Sequence, residues 1–238
     1  MPAQNLIAAP VSRRRALGLL SLSGAALAAG GVQPAPLHAY DSEAELPDIQ
    51  TPEQAMQELM AGNRRFVEGR PVGPHRNMAR VRDVAAGQTP FAAVLSCADS
   101  RVPVEILFDQ GFGDVFVCRA AGNIATPELI ASLEFGTLVL GAQALVVLGH
   151  TSCGAVKATI SGEAVPGQIS TLYRHIRPAV ERSATREVED VARENVRIQA
   201  DLLRTASPVL AQLIREQKLA IHGGIYDLAT GRVTLLDG

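Results

Sequence analysis

Phe91-Ala92-Ala93-Val94-Leu95-Ser96-Cys97-Ala98-Asp99-Ser100-Arg101 is the stretch that decides the fold. It opens on an unbroken apolar run directly after Pro90, without the alternation of a half-exposed strand. So short a run behind a proline predicts a strand buried on both faces. Outward from it, Val115-Phe116-Val117-Cys118, Ala144–Leu148 and Leu219-Ala220-Ile221 read the same way. Arg232–Leu236, after the Thr230-Gly231 turn, reads as a final edge strand. Segments of helical character separate these runs, notably Pro127–Leu140 and Arg186–Leu203. Buried strands alternating with helices predict an α/β fold, with a mainly parallel central sheet flanked by helices.

Upstream, Thr51-Pro52-Glu53-Gln54 is a helix start, with Thr51 as N-cap, Pro52 at the first helical position and Gln54 closing a capping box. Ala55, Met56, Leu59, Met60 and Phe66 continue as a helical apolar stripe until Gly69–Pro74 breaks it. Residues 75–87 predict a second short helix, and residues 40–50 a polar, acidic linker. Before Asp41 the only charges are Arg13, Arg14 and Arg15. They precede Ala16–Ala29, an apolar segment diluted with Gly and Ser. This is a basic region followed by a weakly hydrophobic one. Ser12-Arg13-Arg14-Arg15-Ala16-Leu17 resembles a twin-arginine export signal, with Ala16 where that pattern often has Phe and a cleavage site expected after Ala39. The apolar run is too short for a stable membrane span. The chain is therefore expected to be exported, to the periplasm or beyond, with residues 51–238 as its folded domain.

The whole chain has 238 residues and a formal charge of −2. Loss of residues 1–39 would leave 19 basic against 24 acidic residues, a charge of −5. That balance argues against binding nucleic-acid phosphates. With no Trp and 4% aromatic residues, base-stacking platforms are also poorly supplied. Three Cys are too few for a disulfide framework.

Two of those cysteines stand where chemistry is expected. Ser96-Cys97-Ala98-Asp99-Ser100-Arg101 follows the first buried strand, and Gly149-His150-Thr151-Ser152-Cys153-Gly154-Ala155 follows the third. In an open parallel sheet, ligands bind at the carboxyl ends of strands. Cys97, His150 and Cys153, with Asp99 beside them, make a zinc-ligand inventory of soft thiolates and an imidazole. By spacing alone a Cys97–Cys153 disulfide or two buried, inert thiols remain open. Cys118 lies inside a strand and reads as core. Gly111-x-Gly113 precedes a strand and lacks a third glycine, so it is a turn and not a dinucleotide fingerprint.

Cys97-x-Asp99-x-Arg101 followed by His150-x-x-Cys153 resembles the β-class carbonic anhydrases. Gly62-Asn63-Arg64-Arg65-Phe66, Asp114–Gly122-Asn123, Ser132-Leu133-Glu134-Phe135 and Gly223-Gly224-Ile225-Tyr226-Asp227 are similar to segments of that family too, in order and spacing, over roughly residues 51–237. The resemblance implies a catalytic domain that reversibly hydrates CO2 to bicarbonate and a proton. It implies one Zn2+ per subunit held by Cys97, His150 and Cys153. The fourth ligand would be water or hydroxide, or Asp99 in a closed form, with Arg101 holding Asp99 off the metal. Gln88 matches the substrate-binding glutamine of the plant-type branch, and Phe116 and Phe135 match its hydrophobic pocket. Phe135 replaces a Tyr common there. The Gly154 backbone N–H would face bicarbonate.

The family resemblance further implies a homodimer or a multiple of dimers. In it the N-terminal helical arm packs on the partner, and Gln88 and Phe135 serve the partner's zinc. Two other readings stay in view: hydrolysis of CS2 or COS on the same scaffold, and a non-enzymatic zinc or thiol redox sensor.

Overall fold

The computed structural model describes Asp41 and residues 44–237. The expected export signal at residues 1–39 lies outside them. Helix α1, Pro52–Val67, begins as its capping box requires. Thr51 Oγ1 accepts from the Gln54 N–H at 3.2 Å, and Gln54 Oε1 accepts from the Thr51 N–H at 3.1 Å. A short helix α2, Met78–Asp83, follows, N-capped by Asn77. Then come β1 (Ala92–Ser96), the single turn α3 (Val104–Leu107), β2 (Val115–Arg119), α4 (Pro127–Glu134) and β3 (Ala144–His150). The chain closes with α5 (Gly154–Ser161), α6 (Tyr173–Arg182), α7 (Val188–Ala206), α8 (Pro208–Arg215), β4 (Ala220–Tyr226) and β5 (Val233–Leu235).

The strands form one sheet in the order β2-β1-β3-β4-β5, with β5 alone antiparallel. Both faces are covered, which is why β1 and β3 are buried at every position and carry no alternation. One face holds Leu95, Leu145 and Val147 against α4 to α8. The other holds Val94, Val146 and Leu148 against α1 and α3. Within the chain, the apolar stripe of α1 (Ala55, Met56 and Leu59) is spent on this second face. Buried Asn63 pins the helix there, donating to the carbonyls of Leu107 and Gly231 and accepting from the Val233 N–H at 2.8 Å. Gly62 lies so close to the Phe108 carbonyl that a Cβ would stand 1.8 Å from its oxygen.

Two expected elements differ in extent. The segment read as one helix, Pro127–Leu140, is α-helical only to Glu134 and continues as a π-helical turn, Phe135–Val139. The widening brings Gly136 against the Phe116 ring, where a Cβ would approach to 2.7 Å. Strand β4 runs on to Tyr226, well past the expected Leu219–Ile221. Its two glycines hid that length. At Gly223 a Cβ would lie 2.8 Å from the Val196 side chain of α7, so this strand gives up propensity for close helix packing.

The topology places the site. From β1 the chain crosses to β2 on one side, then returns over β1 to β3 on the other. The crevice where strand order reverses lies at the carboxyl ends of β1 and β3, where an open α/β sheet receives a ligand.

Candidate metal centre

Cys97 follows β1, His150 ends β3, and Cys153 is the N-cap of α5. All three are buried, and their donor atoms lie within 4.8 Å of one another. No disulfide joins them: Cys97, Cys118 and Cys153 are all free. Zinc bonds of about 2.0–2.3 Å in a tetrahedron set donor atoms on the order of 3.5 Å apart, so a small contraction closes the set around an ion.

Two further observations fit a metal. His150 Nδ1 lies 2.9 Å from the Thr151 carbonyl, which fixes the tautomer that donates from Nδ1 and leaves the Nε2 lone pair free. Nε2 is itself fully buried with no hydrogen-bond partner, a costly state for an imidazole nitrogen unless it is a ligand atom. The cysteines are also polarised unequally. The neighbouring Cys153 thiol draws Cys97 well below the ordinary thiol range against the cost of burial, and the N–H groups of Gly122 and Asp99 help. Cys153 is pushed up by Cys97 and by burial, opposed by the Val156 and Ala155 N–H groups at the start of α5. The two thiols titrate as a pair, and a divalent ion bound to both would displace the proton they share.

Asp99 sits at the rim. Arg101 grips it three times: its backbone N–H and Nε each donate to Oδ1 at 2.9 Å, and Nη2 donates to Oδ2 at 2.8 Å. That guanidinium holds the Asp99 carboxyl far below the usual carboxylate range. Asp99 Oδ2 lies 3.9 Å from His150 Nε2, so the carboxylate is beside the three donors but committed to Arg101.

The other expected residues are distributed. Gly154 opens α5, exposed, with nothing near the place of a Cβ. Phe116 is half-buried in β2 and packs against the same core cluster as Cys118, whose thiol is raised by burial. Phe135 is 48% exposed at the start of the π-turn. Gln88 is exposed and precedes the amino end of β1, whereas Cys97 follows its carboxyl end. At about 3.3 Å per residue that strand alone separates the two ends by roughly 16 Å. The fold therefore does not bring Gln88 to this chain's own metal centre.

Two groups at the site lie within the Asp114–Gly122-Asn123 segment, where the sequence assigns neither a role. Arg119, at the end of β2, donates to the Cys97 carbonyl at 3.0 Å and to the Asp99 carbonyl at 2.6 Å, clamping the loop that carries both. The Gly122 N–H donates to Cys97 Sγ at 3.2 Å. A positive charge closing a buried strand, and a glycine a few residues later, were the available signals.

The comparisons agree with this geometry. The family model for carbonic anhydrases matches residues 92–233. Carbonic anhydrase 2 of Mycobacterium tuberculosis is 37% identical over 193 residues, covering 78% of this chain and 93% of that protein. A carbonic anhydrase of Mycolicibacterium smegmatis is 38% identical over 191 residues, covering 77% and 93%. Among solved structures, a β-carbonic anhydrase of Aspergillus fumigatus superposes with a TM-score of 0.61 at 30% identity, covering 66% of this chain and 80% of that one. The chain belongs to the β-class carbonic anhydrase family.

Proposed function

We propose that this protein is an exported, zinc-dependent enzyme of the plant-type branch that reversibly hydrates CO2 to bicarbonate and a proton. The observation that carries the reading is the buried Cys97–His150–Cys153 set, its orphaned Nε2 beside two thiols, with the Arg101-gripped Asp99 at its mouth. Zinc in that set would supply a Lewis acid that lowers the pKa of water towards about 7, making a nucleophile near neutral pH.

The chain's residues do the rest. Asp99, kept ionised by Arg101, accepts a hydrogen bond from the attacking water at Oδ2 and so aims the oxygen lone pair. Phe116 contributes an apolar wall suited to CO2, which carries no charge and no donor. The Gly154 N–H, at the positive end of α5, faces the developing bicarbonate. Gln88 and the exposed Phe135 complete the pocket of a second copy. That arrangement is supported by β2, which is an edge strand with its outer backbone groups unpaired in the sheet. The π-helical turn after α4 carries Phe135, Leu138 and Val139, each about half exposed or more, and Phe112 precedes β2. The export reading rests on Arg13, Arg14 and Arg15 ahead of the weakly apolar segment.

Zinc analysis together with a stopped-flow CO2-hydration assay tests the proposal. About one zinc per chain is expected, with turnover rising between about pH 6 and 9 as the attacking water loses its proton. Correctly folded protein that takes up no zinc, or zinc-loaded protein that does not hydrate CO2, overturns it. The assembly is checked by light scattering, where a dimer or a multiple of it is expected. Leu138→Glu, which puts a charge into the apolar patch, is expected to yield monomers with little turnover. A wild-type monomer with full activity would remove the shared pocket.

A further inference from the structure

We infer that Asn195 is a positioning residue for the metal centre: it locks the turn whose N–H polarises the Cys97 thiolate. The inference rests on the zinc reading above and concerns two residues of α7, which no motif of the chain draws in.

Cys97 Sγ accepts a hydrogen bond from the Gly122 N–H at 3.2 Å. Gly122 is the third residue of a turn closed by the Asn123 N–H on the Ala120 carbonyl at 2.9 Å. Its φ of +77° is that of a type II turn, in which the Ala121–Gly122 peptide is flipped relative to type I. The Gly122 N–H belongs to that peptide and the Gly122 carbonyl to the next, so the glycine Cα is the pivot that sets where the N–H stands against Cys97. Nothing in a glycine resists a change of conformation, and only glycine fits, since a Cβ would stand 2.6 Å from the Ile176 side chain. The restraint has to come from outside the turn.

It comes from α7. Asn195 Nδ2 donates to the Gly122 carbonyl at 2.9 Å. The Asn195 amide is itself held one helical turn on, where Gln199 Nε2 donates to Asn195 Oδ1 at 3.2 Å. Gln199 is anchored in turn: its Oε1 accepts from the Ala125 N–H at 2.8 Å, and its Nε2 also reaches the His175 carbonyl at 3.2 Å. Asn195 is wholly buried and Gln199 nearly so. They are the two polar residues among Val191, Ala192, Val196, Ala200 and Leu203 on the core stripe of α7. Amides in such a stripe cost desolvation unless every polar atom is satisfied, and here they run in a chain to one thiolate.

The chemistry gives that chain a purpose. Two thiolates formally cancel the charge of Zn2+ and blunt its effect on water. An N–H donated to one sulfur withdraws charge from it and restores part of the metal's electrophilicity, as hydrogen bonds to ligand atoms generally tune a metal.

The test uses Co2+ in place of zinc, because the sulfur-to-cobalt charge-transfer band reports the electron density on the thiolates directly. The full chain is compared with Asn195→Leu, similar in volume but without a donor, and with Asn195→Ser, whose hydroxyl is too short to replace the amide. Both variants are expected to bind one cobalt with the band moved to longer wavelength. Gln199→Glu, which keeps the acceptor for Ala125 and loses the donor to Asn195, is expected to move it the same way by less. Variants that melt earlier but keep the wild-type band would show Asn195 to be a core hydrogen bond only, and would overturn the inference. Should one Asn195 variant not fold, the other and Gln199→Glu decide by the same band. Wild-type protein that takes up no cobalt at these thiols overturns the zinc reading and this inference together.

Discussion

Asp99→Asn is expected to keep about one zinc per chain and to lose turnover by roughly 10²–10⁴-fold, the range of a positioned proton acceptor. The two parts separate because Asp99 stands outside the three close donors. Its Oδ2 is 3.9 Å from His150 Nε2 and is held by Arg101 on the other side. The substitution changes little in volume. It replaces one acceptor oxygen by an NH2 group and turns one prong of the contact with Arg101 into a donor facing a donor. Either orientation of the new amide fails. With its oxygen towards Arg101, it presents N–H to the attacking water and favours the wrong lone pair. With its oxygen towards the water, its NH2 meets the guanidinium. Stopped-flow hydration beside zinc analysis reads both quantities. Near wild-type turnover would remove Asp99 from the mechanism, and loss of zinc would make it a structural ligand.

The sequence shows the site more fully than it shows the scaffold. Cys97 and His150 could be placed together because β1 and β3 are unbroken apolar runs, the pattern of a buried parallel strand. Once two such strands are adjacent, the residues at their carboxyl ends must meet. Helix α1 was legible because its start is chemically marked by Thr51, Pro52 and Gln54. What stayed hidden was set by contacts remote in the chain. Gly223 and Gly224 look like strand breakers until Val196 is seen lying against β4. Pro178 argues against a helix at Tyr173–Arg182, yet α6 forms around it because Ile176 and Ala179 are buried in the core shared with α7 and α5.

The same distance explains the roles at the metal centre that the motifs did not show. Arg119 acts through its reach to two carbonyls, Gly122 through a backbone N–H, and Asn195 through Gly122. A motif read as side chains has no place for a peptide group, and an Asn inside an amphipathic helix has no marker before its neighbour is known. Gln88 is the opposite case. The family motif names it, but the fold sets it beyond the far end of β1, apart from this chain's own metal centre.

Cys97→Ser is expected to abolish metal binding and, with it, the response of stability to a chelator. Serine keeps the shape and can still accept from the Gly122 N–H. A neutral hydroxyl, however, is a poor zinc ligand beside one remaining thiolate and an imidazole. A ligand bound only to the folded state stabilises it in proportion to the logarithm of its excess over Kd, about 4.1 kcal/mol at a thousandfold excess. Wild-type protein should therefore melt lower after dialysis against a chelator and recover when zinc is returned. Cys97→Ser should melt at one temperature under all three conditions, with zinc per chain near zero. The comparison is internal to each protein, so a general loss of packing at this buried position does not imitate it. A Cys97→Ser protein that still gains stability on adding zinc would show that His150 and Cys153 hold the ion without Cys97, and the three-donor centre at the β1–β3 crevice would have to be redrawn around α5.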